Sequence, residues 1–352
     1  MKRILFGTTS YVNFIMFERI YKKLARDGRI DIWFTGMHNS KDRPRNLYKP
    51  FAVPHNRIIR EKHAKKMYFD MYIAPDYHIV GDAKIKVQMF HTTNFRNVSI
   101  DEEALKFDKL FLLGNYMKNG FIKYNLFKPD DKRTEMIGMP QVDCLVDGSL
   151  DKNQLQRGIN INPALPSVLF APTLSIYSSL YNMGDDIFDT VGAMPVNFLI
   201  KLHDRCYEKR LNPVDWKKKL KFLTRRYPNI RIVPGFDCTP YLYISDILIS
   251  DASCVAYQFC ILDRPVIFAD MHKEVFNKFW PRTDLETWGR KAGPLVTNSS
   301  QLKEALEDAL TNSLRFSSVR QALAKDVFYK PGTAAQRSTE KIYELLQLEM
   351  PR

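Results

Sequence analysis

The stretch that decides the fold is residues 246–268, which read DILISDASCVAYQFCILDRPVIF. The apolar run Ile247–Ile249 leads into a turn of small polar residues and then into a segment with apolar side chains at helical spacing. A second apolar run follows at Val266–Phe268. A strand, a polar turn, a helix and another strand in this order are typical of a parallel sheet with helical crossovers. The segment therefore predicts an α/β fold.

The same alternation continues along most of the chain. Ile4–Phe6 ends at a Gly-Thr-Thr-Ser turn, after which apolar residues recur at helical spacing from Phe14 to Leu24, so we expect the N-terminus to be a buried strand and not a signal peptide. Residues 302–310 carry the pattern of one apolar helix face. Further buried strands are predicted from apolar runs at 87–90, 109–112, 168–170, 198–200 and 230–233.

The length of the chain, 352 residues, indicates two domains. A single hydrophobic core seldom grows beyond roughly 250–300 residues. The periodic pattern is interrupted between Val146 and Ser167, where Gly, Ser and Asn-Pro cluster, so the linker is placed there. We therefore expect one domain over residues 1–155, a second over 156–330 and a C-terminal helix over 331–352.

The charge of the chain points to anionic partners. It has 53 Lys and Arg against 39 Asp and Glu, a formal net charge of +14. Nucleic acid, phosphorylated substrates and an acidic membrane surface would all suit it.

The five cysteines are odd in number and widely spaced, which argues against a disulfide framework and fits a cytosolic setting. No apolar run approaches the ~18 residues of a transmembrane helix, so we expect any membrane contact to be peripheral.

One segment of the first domain is especially basic. Between residues 41 and 66, nine Lys or Arg face two acidic residues, with aromatic and aliphatic side chains between them. This composition predicts attachment to an anionic membrane surface, with a solvated surface loop as the alternative. The residues assigned to the membrane are Lys41, Arg43, Arg45, Lys49, Phe51, Arg57 and Arg60.

Several catalytic signatures are missing from the sequence. It contains no GxGxxG, no GxxxxGK[ST], no HExxH and no Asp-x-Asp. A dinucleotide-dependent dehydrogenase, a P-loop NTPase and a transferase that holds a metal on an Asp-x-Asp pair are therefore disfavoured. We expect no metal ion and no other cofactor, so fixed protein donors would have to neutralise a phosphorylated substrate.

Two polar turns that follow predicted strands contain a histidine. His91 is followed by Thr92 and Thr93, and His203 comes two residues after Lys201. The carboxyl ends of parallel strands are where open α/β sheets bind ligands. One such histidine is more often structural, but two at matching places in successive domains favour a functional role.

Two further turns combine small and hydroxyl residues after a strand. They are Ala171–Ser175 and Ser250–Cys254. Small residues at a helix start expose backbone N–H groups, which bind anions. The alternative is that Asp251 or Ser253 is only a helix cap and that Thr173 lies in an ordinary turn.

Taken in order, the four turns resemble those of the CDP-glycerol glycerophosphotransferase family, the teichoic-acid primases and polymerases. The resemblance covers roughly residues 87–143 and 168–300 and is most specific at 260–268. The family motifs His-Gly-Thr, Gly-x-Pro-Arg-x-Asp, Ala-Pro-Thr-Trp-Arg, Arg-x-His and Ser-Asp-Tyr-Ser-Ser correspond to His91–Thr93, Gly138–Asp143, Ala171–Ser175, Lys201–His203 and Ser250–Cys254.

The resemblance implies a GT-B architecture, with two Rossmann-like α/β domains facing a cleft. The domain at 1–155 would bind the acceptor and face the membrane, and the domain at 156–330 would bind the nucleotide donor. The helix at 331–352 could return to the first domain. The implied activity moves a phosphorylated polyol such as glycerol phosphate from a CDP-activated donor to a hydroxyl of a lipid-linked or glycan acceptor. This reaction would serve cell-surface polymer synthesis at the inner face of the cell membrane.

The resemblance also assigns roles to residues. His91 would be the general base, and His203 with Lys201 would hold the donor phosphates as positive or hydrogen-bonding groups. The other residues implied in donor binding are Thr173, Ser250, Asp251, Ser253 and Cys254. The remaining residues expected to line the cleft are Thr92, Thr93, Pro140 and Asp143.

Departures from the family motifs leave the donor open. Ser175 and Gln141 stand where the family has arginines, and Cys254 replaces a serine. A different CDP-polyol, or a nucleotide sugar used by a GT-B glycosyltransferase, is therefore an alternative. A basic nucleic-acid-binding protein is the alternative from another class, but the lysine run at 217–221 is better explained as a solvated helix face, and we expect no nucleic-acid partner.

Overall fold

The computed structural model describes residues 1–37, 40, 43–92, 97, 99–208, 210, 212–271, 284 and 286–351. The chain divides into two compact units, the first from residues 1–93, 99–143 and 325–352 and the second from 94–98 and 144–324. Each unit is built on a parallel sheet with helical crossovers, so the predicted α/β class is confirmed. Within these described ranges, no helix is both long and apolar enough to cross a bilayer.

The sheet of the first unit has seven parallel strands in the order β3-β2-β1-β4-β5-β6-β7. The strands are β1 (Lys2–Thr8), β2 (Ile30–Gly36), β3 (Ile58–Ile59), β4 (Tyr68–Ala74), β5 (Asp82–Met89), β6 (Lys109–Leu112) and β7 (Thr134–Met136). The helices of this unit are Tyr11–Leu24, Pro44–Tyr48, Glu61–Ala64, Asn115–Lys123 and Ala334–Leu346.

The sheet of the second unit has six parallel strands in the order β10-β9-β8-β11-β12-β13. The strands are β8 (Ser167–Phe170), β9 (Asn197–Ile200), β10 (Ile230–Ile232), β11 (Ile247–Ser250), β12 (Val266–Ala269) and β13 (Leu295–Val296). The helices are Lys152–Gly158, Ser179–Asn182, Gly184–Gly192, Trp216–Arg226, Thr239–Ile244, Cys254–Cys260, Ser299–Thr311 and Ser317–Val327, the last of which continues into the first unit.

Each sheet has a point where the order of its strands reverses. In the first unit the reversal lies between β1 and β4, and in the second it lies between β8 and β11. The crossovers on the two sides of such a point leave in opposite directions, which opens a crevice at the carboxyl ends of the two strands. The fold therefore predicts one ligand-binding edge in each unit.

The core of the first unit is rich in aromatic side chains. Phe14 packs edge-on against Phe51 with ring centroids 4.6 Å apart, and Tyr48 and Phe34 complete the cluster. Phe51 is only 4% exposed, so the prediction that it contacts a membrane is wrong. The sequence showed an aromatic ring among cations, but the 3₁₀ turn Lys49–Phe51 directs this ring inward.

The segment expected to be a linker is part of the second unit. Helix Lys152–Gly158 lies within it and packs against helix Thr239–Ile244 of the same unit. The structure changes unit between residues 143 and 144, earlier than the expected boundary after residue 155. The first unit also includes the chain from residue 325 onward, instead of ending at 155 and regaining only 331–352.

Asp143 holds the C-terminal segment within the first unit. Its buried carboxylate accepts hydrogen bonds from the backbone N–H groups of Gly332, Ala334 and Ala335, at 2.8, 3.0 and 2.8 Å. Burial raises the pKa of Asp143, and the three N–H donors oppose that rise. Gly138 contributes by leaving room, because a Cβ there would lie 2.4 Å from the carbonyl oxygen of Tyr329. The carboxylate therefore anchors the start of helix Ala334–Leu346.

Replacing Asp143 with alanine should destabilise the first unit. Three N–H groups would lose their acceptor, and a buried unsatisfied donor costs about 1–3 kcal/mol, so a loss of about 2 kcal/mol or more in the free energy of unfolding is expected. Urea denaturation measures it, with Asp130→Ala at an exposed position as the control. Equal stability of the two variants would contradict the anchoring role.

Candidate functional site

The carboxyl ends of β1, β4 and β5 bring together a network of polar side chains in the first unit. Asp76, two residues after β4, accepts a hydrogen bond of 2.6 Å from the Thr9 hydroxyl and one of 3.2 Å from the Asn13 amide. His91, two residues after β5, places its Nδ1 atom 3.8 Å from the Asp76 Oδ1 atom. The network lies where the strand order reverses, which is the ligand-binding edge expected from the fold.

The surroundings of His91 select the tautomer of a general base. Its Nδ1 atom lies 3.1 Å from the carbonyl oxygen of Pro75. A carbonyl oxygen can only accept, so Nδ1 carries the proton and donates it, which leaves the Nε2 lone pair free. The nearby Asp76 carboxylate would stabilise the imidazolium formed when Nε2 takes up a proton. The His91 side chain is 30% exposed, so a substrate hydroxyl could reach it.

Asp76, Thr9 and Asn13 were not identified as site residues from the sequence. Asp76 is 67 residues from Thr9 and 63 residues from Asn13 in the chain, and only the parallel order of β1 and β4 brings it to them. A polar residue just after each strand is the signal that could have found them. Thr92 is half-buried next to His91. Thr93, also expected to line the cleft, lies outside the described residues.

The corresponding edge of the second unit is organised by Asp251. Its fully buried carboxylate accepts hydrogen bonds from the backbone N–H of Thr173 at 2.8 Å and of Ala252 at 2.7 Å. It also accepts bonds from the N–H and the hydroxyl of Ser179, at 2.9 and 2.8 Å. These four bonds join the loop after β8 to the turn after β11. The carboxylate expected to bind the donor is thus occupied by the chain itself, and its role is to fix both loops.

Ser250 and Thr173, two other residues assigned to donor binding, are also buried within the second unit. The Ser250 hydroxyl donates a 2.7 Å hydrogen bond to the Ala171 carbonyl and is buried. Thr173 is also buried. Ser253 directly precedes helix Cys254–Cys260. Its hydroxyl is half-buried and makes no capping hydrogen bond to that helix. Cys254 is half-buried at the first position of that helix.

His203 follows β9, the neighbour of β8. The backbone N–H of Arg205 donates a 3.2 Å hydrogen bond to its Nδ1 atom, so in the neutral ring the proton is on Nε2. Burial lowers the pKa of His203, although the charge of Asp204 opposes this. Of the two roles proposed for this side chain, the geometry favours the neutral hydrogen-bond donor over the cation.

Lys201 is less available than the sequence suggested. The residue is 6% exposed, and its ammonium group donates a 3.0 Å hydrogen bond to the carbonyl of Leu202. It also lies 3.8 Å from a carboxylate oxygen of Asp204. Lys201 therefore contributes positive charge from within the turn instead of extending into solvent.

Arg290 is a cation of this edge that the sequence reading missed. It follows Gly289, whose carbonyl accepts a 3.1 Å hydrogen bond from the buried Tyr257 hydroxyl of helix Cys254–Cys260. Its side chain is 14% exposed, and among the residues that the structure describes the buried Nη1 atom has no hydrogen-bond partner. The carboxylate of Asp270, directly after β12, lies 3.8 Å from this atom, which is too long for a hydrogen bond.

The charge around Arg290 links it to the turn after β11. Burial lowers the pKa of Arg290, and the negative charges of Asp270 and Asp251 oppose this change. Since Gln141 and Ser175 stand where two of the family motifs have arginines, the Arg290 guanidinium supplies a cation that these two motifs lack in this chain. Arg290 lies in the segment before β13. This segment has none of the four polar turns from which the other site residues were predicted.

Carboxylates and histidines do not converge on a metal site. Among the residues that the structure describes, no group of three or more His, Cys, Asp or Glu side chains could hold a metal ion. Asp143 and Asp251 both use their carboxylate oxygens to accept hydrogen bonds from backbone N–H groups. Pro140 lies beside Asp143, buried in the 3₁₀ turn Pro140–Leu145.

The basic segment of the first unit is mostly exposed. Arg43, Arg45, Lys49 and Arg60 are exposed, whereas Lys41 lies outside the described residues. Arg57 forms a 2.6 Å ion pair with Asp31 and stacks on Trp33, with its guanidinium carbon 4.8 Å from the ring centroid. Among the described residues that were assigned to a membrane, the cations exposed to an external anion are therefore Arg43, Arg45, Lys49 and Arg60.

Comparison with known structures supports the same fold. A histidine-to-asparagine variant of the wall teichoic acid polymerase TagF superposes with a TM-score of 0.74 at 16% identity, covering 98% of this chain and 89% of that chain. The UDP-GlcNAc 2-epimerase of Methanocaldococcus jannaschii, in complex with UDP-GlcNAc and UDP, gives 0.63 at 15% identity, covering 98% and 100%. The S. aureus MnaA–UDP structure gives 0.60 at 13%, covering 100% and 99%.

The family is established by sequence. Among curated proteins none matches the chain significantly. A family model, described as CDP-Glycerol:Poly(glycerophosphate) glycerophosphotransferase, matches residues 78–347. This span includes the His91 turn, the Asp251 turn and Arg290, and it confirms the resemblance found from the motifs. The chain therefore belongs to the CDP-glycerol:poly(glycerophosphate) glycerophosphotransferase family and is a transferase.

Proposed function

We propose that this enzyme transfers glycerol phosphate from CDP-glycerol to a hydroxyl group of a lipid-linked or glycan acceptor. Family membership supports the reaction class. A structure of TagF soaked with CDPG is among the similar folds, at a TM-score of 0.72, which makes CDP-glycerol the first donor to test. The observation that carries the proposal is His91, whose Nε2 lone pair is left free while Pro75 and Asp76 hold the other side of the ring.

In the proposed reaction His91 acts as general base. Its Nε2 atom takes the proton of the acceptor hydroxyl while the oxygen attacks the phosphorus atom that carries glycerol. A phosphodiester bond forms to the acceptor, the pyrophosphate P–O bond breaks, and CMP leaves with the electron pair. The Asp76 carboxylate stabilises the imidazolium until its proton is released.

The second unit is proposed to bind the donor. Arg290 would neutralise pyrophosphate charge, and the Nε2–H group of the neutral His203 ring would donate a hydrogen bond to it. A guanidinium suits phosphate because it donates through a planar fork. Asp251 would act indirectly by fixing the loops after β8 and β11. Thr173, Ser250, Ser253 and Cys254 remain proposed members of this binding edge.

Attachment to the inner face of the cell membrane remains a prediction. It now depends on the exposed cations of the basic segment, because Phe51 and Tyr48 are buried in the core. Basic residues near an anionic leaflet contribute about 1 kcal/mol each, so a few of them suffice for weak and reversible binding.

CDP and CMP should raise the melting temperature of the protein, whereas UDP and GDP should not, because a ligand that binds the folded state stabilises it by mass action. Arg290→Gln should reduce the shift caused by CDP. The control is Arg231→Gln, which lies in β10 and whose guanidinium binds backbone carbonyls of Pro228 and Asn160. Equal shifts with CDP and UDP would favour a nucleotide-sugar glycosyltransferase instead.

His91→Ala should lower the single-turnover rate by about 10²–10⁴-fold and leave CDP binding unchanged, since a positioned base acts on the chemical step. His55→Ala, at an exposed histidine of the same unit, is the control. Rapid-quench measurement of CMP release from CDP-glycerol tests this. A His91→Ala variant that is folded and turns over at the wild-type rate would exclude the general-base role.

A further inference from the structure

A large cavity lies at the carboxyl ends of β2 and β3 in the first unit. Its volume is about 880 Å³, and it is bounded by Gly36, Ile58 and Ile59 on the sheet side. Helix Pro44–Tyr48 forms one wall. Gly36 lets this helix approach closely, since a Cβ there would lie 2.9 Å from the Leu47 side chain. The cavity is within the size range of ligand sites, 300–1,000 Å³.

The charge lining this cavity is strongly positive. Arg43, Arg45 and Arg60 all border it together with His63, and among the described residues that line it the one acid is Glu61. Across the described part of the chain, no ion pair joins any of these three arginines to a carboxylate, although many other surface cations are paired.

Glu61 does not neutralise these arginines. Glu61 is paired with Lys65 at 2.7 Å, and the His78 ring lies 3.4 Å away. Burial raises the pKa of Glu61, but the Lys65 and His78 contacts outweigh it and lower the pKa below its usual value. The carboxylate is therefore ionised and paired with Lys65, and the arginines are left to bind an external anion.

We infer that this cavity binds phosphate groups of the acceptor, at a distance from the reacting hydroxyl. The inference rests on the proposed function. The order β3-β2-β1-β4-β5 places the cavity on the same sheet edge as His91. Neighbouring strands are ~4.8 Å apart, so the three steps from β2 to β5 span about 14 Å. An acceptor that reaches both places must carry its phosphate well away from its reacting end.

A concave site favours a phosphorylated chain over a flat membrane surface. Arginine forks bind phosphate through paired hydrogen bonds, which requires that the anion enter between the side chains. The apolar rings of the same segment point into the core and would not insert into lipid. The phosphate could be a diester in a polymer or a pyrophosphate at a lipid-linked end, and the two sources call for separate probes.

The test measures binding of two probes by calorimetry: a synthetic oligo(glycerol phosphate) of defined length and inorganic pyrophosphate. Arg45→Gln/Arg60→Gln removes two cavity charges. Lys49→Gln/Lys62→Gln removes two exposed charges of the same segment that do not line the cavity, so both variants have equal net charge. Arg45→Lys/Arg60→Lys keeps the charge and removes the fork, and it replaces the glutamine variant if that variant does not fold.

The cavity variant should bind at least one probe about tenfold more weakly or worse, and the lysine-removal control should match the wild type. The Lys-for-Arg variant should lie between them. A polymer acceptor predicts tighter binding of the oligomer, and a lipid-linked end predicts tighter binding of pyrophosphate. Equal losses in both charge-removal variants, or no binding of either probe by the wild type, would overturn the inference.

Sedimentation with phosphatidylglycerol and phosphatidylcholine vesicles separates the membrane alternative. If the arginines serve only a membrane surface, both charge-removal variants lose vesicle binding while probe binding is absent, which contradicts the cavity assignment. The CDP melting shift should be the same in the cavity variant and the wild type. Absence of that shift in the wild type would count against the proposed donor, whereas probe binding decides the cavity independently.

Discussion

The second unit depends on the buried carboxylate of Asp251. A charge without solvent is tolerated only when it is fully hydrogen-bonded, and the four donors from Thr173, Ala252 and Ser179 meet that requirement. These contacts fix the loops on the two sides of the point where the strand order reverses. The same negative charge offsets part of the cost of burying Arg290. One side chain thereby positions both the backbone and a cation of the proposed donor edge.

The first unit uses its acids in two different ways. Asp143 is buried and accepts three backbone N–H groups, so it organises the chain and is closed to other partners. Asp76 is half-buried and lies beside His91, where its negative charge would stabilise a protonated ring. Both carboxylates follow the same elementary rule, that a negative charge needs donors, but exposure separates the structural acid from the chemical one.

The sequence predicted the elements whose signals are local and could not predict those set by distant contacts. Strands such as β1, β8 and β11 each contain three consecutive apolar residues and were recognised. β2 and β4 were missed because each contains an aspartate. Asp31 forms an ion pair with Arg57. Asp70 forms an ion pair with Lys2 and accepts a hydrogen bond from the backbone N–H of Arg3. These partners are visible only after the sheet is assembled.

The site shows the same division. His91 and His203 stand next to apolar runs, so their placement at strand ends followed from the motifs. The burial of Phe51 and the capping role of Asp143 depend on packing against segments far away in the chain, and the sequence assigned both incorrectly. Arg290 and Asp76 have no motif of their own. Each acquires a role because the parallel strands of its own unit bring its loop to the ligand-binding edge of that unit.

Transfer of glycerol phosphate, and not of a sugar, distinguishes the proposed reaction from that of a nucleotide-sugar glycosyltransferase. Phosphorus-31 NMR of the protein with CDP-glycerol and an oligo(glycerol phosphate) acceptor tests it directly, because pyrophosphate, phosphodiester and phosphomonoester signals are resolved. In the proposed reaction the pyrophosphate signals disappear while new phosphodiester and CMP signals grow in equal amounts. Unchanged CDP-glycerol, together with consumption of a nucleotide sugar and release of a nucleoside diphosphate, would contradict it.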